Sequence, residues 1–176
     1  MMELIIDSLI FDNVVVWDNS VFEDWKCAGR YKAAEEAPTD IVFFQDDDVI
    51  VPAETQMALL DAYEPGVCVA NWGHGDNPDG YDDLPLVGAG AIVDRQLCLD
   101  AIDLYARHYP LDDDFKYEAD FVVGVLYPEF RHMRLPFEIN MAVAQHGSRL
   151  VNQPWQKALK FKVTNQARTV RDMVAA

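Results

Sequence analysis

The stretch Ile41-Val42-Phe43-Phe44-Gln45-Asp46-Asp47-Asp48 decides how this chain is read. Ile41 to Gln45 is short, β-branched and aromatic, which predicts a buried strand. Three aspartates follow it directly. In an open α/β sheet the C-terminal end of such a strand opens on the crevice where ligands bind. On an extended segment Asp46 and Asp48 face one side and Asp47 the other. Two converging carboxylates repel unless a cation lies between them, and hard oxygen donors suit Mg²⁺ or Mn²⁺. The alternative is a solvated acidic turn. The pattern argues against an EF-hand, because no Gly stands at the required offset and no Glu closes a 12-residue loop.

Outward from this stretch, short apolar runs alternate with helix-like segments, the pattern of an α/β domain with a largely parallel sheet. Upstream, Val14 to Trp17 predicts a first buried strand, and Trp25 to Glu36 a helix stopped before Pro38. Downstream, Pro52 suits the first turn of a helix whose apolar stripe is Met57, Leu60 and Tyr63. Gly66 to Ala70 predicts a third strand and Leu86 to Val93 a fourth, separated by a Gly- and Asp-rich loop from Asn71 to Pro85. Asp94 is placed to N-cap a helix carrying Leu97, Ala101, Leu104 and Tyr105 on one face. Glu118 and Asp120 stand at the start of an apolar helix through Leu126, where either could equally be a cap.

Composition sets the bounds. With 176 residues the chain is long enough for one domain with a substantial core, so no disulfide or metal is needed simply to fold. Cys27, Cys68 and Cys98 are odd in number and far apart, which gives neither a disulfide framework nor a zinc motif. The start has no basic n-region and no run reaches the roughly 18 apolar residues of a span, so a cytoplasmic location is expected. The net charge of −16 argues against coating nucleic acid. That charge is uneven: residues 147–176 carry six basic residues and Asp172 alone, a balance of +5, against −21 for the rest. A basic helix docked on an acidic body, or a flap meeting a cation-held anionic substrate, both follow from this division.

The order of these parts resembles the GT-A-fold glycosyltransferases that use nucleotide sugars, in the family-2-like branch also seen in bacteriophage genomes. The matching pieces are VVVWDNS (Val14 to Ser20), GRYKAAEEA (Gly29 to Ala37), FFQDDDVIVP (Phe43 to Pro52), LVGAGAIVDRQLC (Leu86 to Cys98), YEADFVVGVL (Tyr117 to Leu126) and His146. The resemblance implies a Rossmann-like three-layer α/β/α fold with a mostly parallel central sheet. It implies a GT-A-like catalytic domain over residues 1–146 and a basic helical tail over 147–176. Asp18, Asn19 and Arg30 would bind the nucleotide, with Asp47, Gly88 and Gly90 also at the nucleotide sugar. Asp46 and Asp48 would hold Mn²⁺ or Mg²⁺ on the donor diphosphate, with His146 as a further ligand. Asp120 would be the catalytic base of an acidic motif that here reads Glu118-Ala119-Asp120.

The implied reaction transfers a sugar from a UDP- or GDP-sugar to a hydroxyl acceptor, in the host cytoplasm if the gene is a phage's. Members of that family begin with a strand and turn before their first helix, whereas Met1 to Ile10 already resembles that helix, so the first βα element is expected to be missing. Two other readings stand beside this one. A nucleotidyltransferase on a related sheet is one, although no Gly-rich phosphate loop such as GxxxxGK[ST] is present. The other is a non-catalytic nucleotide- or sugar-binding remnant. Trp72, beside His74, and Trp155 could stack on sugar rings or serve as packing anchors.

Overall fold

The computed structural model describes residues 6–73, 84–139 and 155–176. Among the described residues the strands are β1 (Ile41–Phe44), β2 (Val49–Ile50), β3 (Val67–Gly73), β4 (Pro85–Asp94), β5 (Glu129–His132) and β6 (Glu138–Ile139). They are accompanied by α1 (Gly29–Glu35, entered through a 3₁₀ turn Lys26–Ala28), α2 (Ala53–Asp61), α3 (Arg95–Ala106), α4 (Asp113–Leu126) and α5 (Gln156–Ala175), and residues 6–8 are also helical.

The main sheet has the order β1-β4-β3-β5, with β2 and β6 forming a separate antiparallel pair. It is mixed, which corrects the expectation of a mostly parallel sheet. β4 pairs antiparallel with both β1 and β3, and only β3 with β5 is parallel. The physical reason is visible in the sequence in retrospect. A parallel neighbour needs a crossover of a dozen or more residues, usually helical, and nothing of helical pattern separates β3 from β4.

The strands are apolar on both faces, as alternation along them demonstrates. Val42, Phe44, Cys68, Ala70, Val87, Ala91 and Val93 belong to one cluster, which is closed by Tyr31 of α1, Cys98 and Tyr105 of α3, Phe115 and Val122 of α4, and Val163 and Ala167 of α5. Phe43, Val67, Val69 and Ile92 face the other way, against Leu59 of α2 and the partly buried Phe11, Tyr63, Met133 and Leu135. Each large side chain fully buried here contributes about 1.5–3 kcal/mol relative to exposure.

Helix ends follow local chemistry. The Asp112 carboxylate accepts from Phe115 N at 3.2 Å and caps α4, with Asp113 and Asp114 in its first turn. At its other end Tyr127 is extended, as the residue before Pro128 must be. Asp94 occupies the N-cap position of α3, but its carboxylate accepts from Tyr63 Oη at 2.7 Å and Gly66 N at 2.7 Å instead of from the helix. α5 buries Val163, Thr164, Ala167 and Val170 and carries Lys162, which pairs with Asp114. The basic segment is thus docked on the acidic body through its described part; the boundary between 146 and 147 lies outside the described residues.

Two further expectations are corrected. Val14 to Trp17 is not a strand: Val14, Val15 and Val16 are exposed and none pairs with a described strand. β-propensity expresses packing on a sheet, and without a neighbouring strand it has nothing to act on. The buried face of α2 is Thr55, Gln56 and Leu59, whereas Met57 and Leu60 are exposed. Gln56 is inside because its amide holds the N-terminal segment, accepting from Ile10 N at 3.0 Å and donating to the carbonyls of Ser8 and Val51. Pro52 stands one position earlier than expected, at the N-cap. Among the described residues no helix is long and apolar enough to cross a membrane.

Candidate functional site

β1 ends at Phe44, one residue before the expected Gln45, with only Phe44 of it buried, and the aspartates that follow do not continue as a strand. The Val49 N–H donates to the Asp46 carbonyl at 3.3 Å, closing a turn over Asp46 to Val49. The Gln45 side chain braces it, donating to the Val49 carbonyl at 2.9 Å and accepting from Val51 N at 3.3 Å. The expectation that Asp46 and Asp48 face one side by strand alternation therefore loses its basis. Asp47 is exposed, while Asp46 and Asp48 are half-buried.

The turn delivers Asp46 to the backbone of β4. Its N–H donates to the Gly88 carbonyl at 2.9 Å, and a Cβ on Gly88 would lie 1.9 Å from Asp46 Oδ2. Gly88 is therefore the position that lets this carboxylate lie on the sheet. Gly90, at φ +102°, sits elsewhere: a side chain there would meet Val51, Leu59 and Phe43. Its need for glycine is conformational, away from the acidic site.

Opposite Asp46 stands Arg30, from the first turn of α1. Its Nη2 donates to Asp46 Oδ1 at 2.5 Å, its Nε to the Cys27 carbonyl at 3.3 Å, and its Nη1 lies 3.4 Å from Asp120 Oδ2. Nη1 is buried and has no hydrogen-bond partner, so its contact with Asp120 is one of charge alone. Burial works against the guanidinium's proton, but Asp120 and Asp46 outweigh it and hold that proton more firmly than usual. Asp120 is completed by Tyr31, whose hydroxyl donates to Oδ1 at 2.8 Å. Tyr31 escaped the sequence reading although it stands beside Arg30, because nothing local links it to a residue 89 positions away.

α4 is broken here. Glu118 has φ −122° and ψ 22° inside an otherwise helical run, so Asp120 starts a second helical stretch behind the kink. Neither residue is the cap of α4, which is Asp112. Glu118 is 1% exposed, and its Oε1 has no hydrogen-bond partner. Burial is the main reason its carboxyl is pushed up to about 7, against the opposing pull of Lys160 and a hydrogen bond from Gln156, both on α5. Burial likewise raises Asp120, opposed by Arg30 and Tyr31. Cys27, next to the cluster, is pushed up to about 12 by burial and by Asp120, which makes it a poor nucleophile at neutral pH.

These groups line one cleft of about 1330 Å³ between α1, β1, α4 and the N-terminal segment. Asp18 and Asn19 line it too, with their side chains engaged locally. Asp18 accepts from the N–H and hydroxyl of Ser20, which lowers its pKa. Asn19 accepts from Trp25 N and donates to the Lys26 carbonyl, holding the 3₁₀ turn that leads into α1. The structure thus brings together Arg30, Asp46, Asp120 and Glu118, with Asp18, Asn19, Asp47 and Asp48 on the same cleft; Gly88 touches the group through Asp46 alone, and Gly90 is left out. His146 and His74 lie outside the described residues. Trp155 packs edge-on against Tyr117 at 5.3 Å, as a packing anchor would.

For Mg²⁺ or Mn²⁺ the donor chemistry of Asp46 and Asp48 is suitable, being hard oxygen on a half-exposed turn. Asp46 Oδ1, however, is neutralised by Arg30, so an ion there competes with the guanidinium. Among the described residues no three His, Cys, Asp or Glu side chains are grouped to hold a metal. No family model matches the chain, and neither does any curated protein or solved structure.

Proposed function

We propose that this chain is a glycosyltransferase that moves a sugar from a UDP- or GDP-sugar to a hydroxyl acceptor, on a Rossmann-like, three-layer GT-A-type fold. The observation that carries the reading is Arg30, fixed between two carboxylates at the wall of a large cleft with Nη1 still lacking a hydrogen-bond acceptor. A buried guanidinium with a spare donor suits a phosphate oxygen. The order of motifs along the chain supports the same reading.

In this reading Arg30 would contact the donor diphosphate, and Asp46 and Asp48 would be the residues to hold Mn²⁺ or Mg²⁺. When bound, the ion would neutralise charge that develops on the leaving diphosphate. Arg30, paired with Asp46 in the structure, would compete with such an ion for that carboxylate and would offer Nη1 to a phosphate oxygen. Asp18 and Asn19, with Asp47 at the rim, border the nucleotide end. Gly88 keeps the backbone of β4 open beneath the reacting sugar. The carboxyl pair at the α4 kink, Glu118 and Asp120, supplies the base that a hydroxyl acceptor requires.

Calorimetric titration with UDP, GDP, UDP-glucose and GDP-mannose, with and without Mn²⁺, tests this. Metal-dependent binding of one nucleotide and slow release of it from its sugar are expected. Absence of binding to all four would overturn the reading. A second reading, a non-catalytic nucleotide or sugar binder, is favoured by the ion pair that already neutralises Asp46 without a metal. Binding without any turnover would select it.

A further inference from the structure

Asp120 and Glu118 differ in what their oxygens already do. Asp120 Oδ1 receives the Tyr31 hydroxyl proton at 2.8 Å, and Oδ2 faces the Arg30 guanidinium at 3.4 Å. To take a proton from a substrate, Asp120 would have to give up one of these partners, and doing so would leave Arg30 less compensated in a buried place. Glu118 is arranged differently. The kink at its own φ and ψ turns it out of the helical hydrogen-bond pattern into the cleft wall. One of its oxygens receives a hydrogen bond from Gln156, whereas Oε1 is buried without a partner. A buried, unpartnered carboxyl oxygen is costly unless it serves a ligand or a proton.

We propose that Glu118, and not Asp120, accepts the proton of the acceptor hydroxyl, while Asp120 acts as a positioning residue that holds Arg30 and Tyr31. The inference rests on the glycosyl-transfer reading above. In the step, the acceptor oxygen forms a bond to the anomeric carbon. The bond from that carbon to the diphosphate oxygen breaks, and its electron pair leaves with the nucleoside diphosphate. The hydroxyl proton passes to the Glu118 carboxylate. With water in place of the acceptor, the same balance gives donor hydrolysis.

The charged and titratable groups facing Glu118 are Lys160 from α5, Asp120 on its own helix, and Cys27 from the turn before α1. Lys160 also lies 4.5 Å from the centre of the Phe121 ring, which fixes it over the start of the second half of α4. A carboxyl at about 7 in this setting is poised to exchange its proton at neutral pH.

The test compares wild type, Glu118→Gln, Glu118→Asp and Asp120→Asn in the Mn²⁺-dependent hydrolysis of UDP-glucose and GDP-mannose, followed as nucleotide release between pH 5 and 9. Nucleotide affinity is measured in parallel by calorimetry, and folding by near-ultraviolet circular dichroism. Expected are a wild-type kcat that rises with pH through about 7, a loss of roughly 10²- to 10⁴-fold in Glu118→Gln with nucleotide affinity within threefold, and a displaced midpoint in Glu118→Asp. Asp120→Asn should weaken nucleotide binding and keep the pH profile. In infrared spectra, wild type should show below pH 7 a protonated-carboxyl band that Glu118→Gln lacks. A Glu118→Gln enzyme within tenfold of wild type, or a pH profile abolished by Asp120→Asn instead, overturns this inference and leaves glycosyl transfer standing. A wild type that binds nucleotide and never releases it from its sugar overturns both.

Discussion

Two acidic segments meet at one cleft, and they behave differently. The turn Asp46-Asp47-Asp48 is half-exposed, closed by a backbone hydrogen bond, and paired with Arg30. The segment Glu118-Ala119-Asp120 lies in a broken helix, with Glu118 and Ala119 buried and Asp120 half-buried. At the second segment burial pushes both carboxyls up. The first segment therefore pairs with a cation already in the fold, the Arg30 guanidinium, whereas the second holds protons more tightly than usual, although both are simply rich in aspartate and glutamate in the sequence.

The largest way to break this comparison is to remove the cation shared by the two segments. Arg30→Met should destabilise the fold by about 2–3 kcal/mol, because the half-buried Asp120 is left without its counter-charge. The half-exposed Asp46 contributes little to that figure. Urea unfolding at pH 7 measures it, and a loss under 1 kcal/mol would mean the pairing is not structural.

The second prediction concerns pH and Glu118. Its carboxyl in the folded protein stands at about 7 against an ordinary 4.5, so the folded state holds the proton more tightly than the unfolded chain. Stability is therefore intact below about 4.5 and declines as pH rises toward 7, by a total on the order of 3 kcal/mol. Glu118→Gln should remove that decline, so unfolding of variant and wild type at pH 5 and pH 8 should diverge with the variant gaining at pH 8. Equal pH slopes would show that Glu118 ionises normally.

Smaller effects sharpen the contrast. Gly88→Ala should cost about 1–3 kcal/mol and displace Asp46 from β4, read as lost stability together with loss of the Arg30 pairing in a crystal structure. Tyr31→Phe removes one donor from Asp120 Oδ1 and should cost about 1–2 kcal/mol in thermal unfolding. The smallest effect is expected at Met57→Lys, on the exposed face of α2, within about 0.5 kcal/mol. A large loss there would restore the apolar stripe that the sequence suggests.

Much of the scaffold was legible. β1, β3 and β4 lie where runs of Val, Ile, Phe and Ala predict them, and α1 and α3 lie close to their expected spans. Orientation was not legible, because strands buried on both faces read as continuous apolar runs whichever way their neighbours run. Val14 to Trp17 failed for a related reason: three valines favour a strand only where another strand receives them. On α2 the periodicity misled because Gln56 is inside, satisfied by backbone groups of Ser8, Ile10 and Val51 that no local pattern reveals. At the site, Arg30, Asp46, Glu118 and Asp120 were all legible as candidates. Tyr31, the brace by Gln45 and the helix kink that gives Glu118 and Asp120 different surroundings were not.

The sequence by itself determined where acidic side chains occur, that an apolar strand leads into Asp46, and that a glycine-bearing strand lies further along; the structure makes that apolar strand an edge strand of which only Phe44 is buried. The tertiary structure decided their chemistry. Arg30 comes from 16 residues before Asp46, Tyr31 from 89 residues before Asp120, and Gln156 and Lys160 reach Glu118 from the last helix. Ionisation depends on desolvation and on charges within a few ångströms, and those are set by which distant segments pack together.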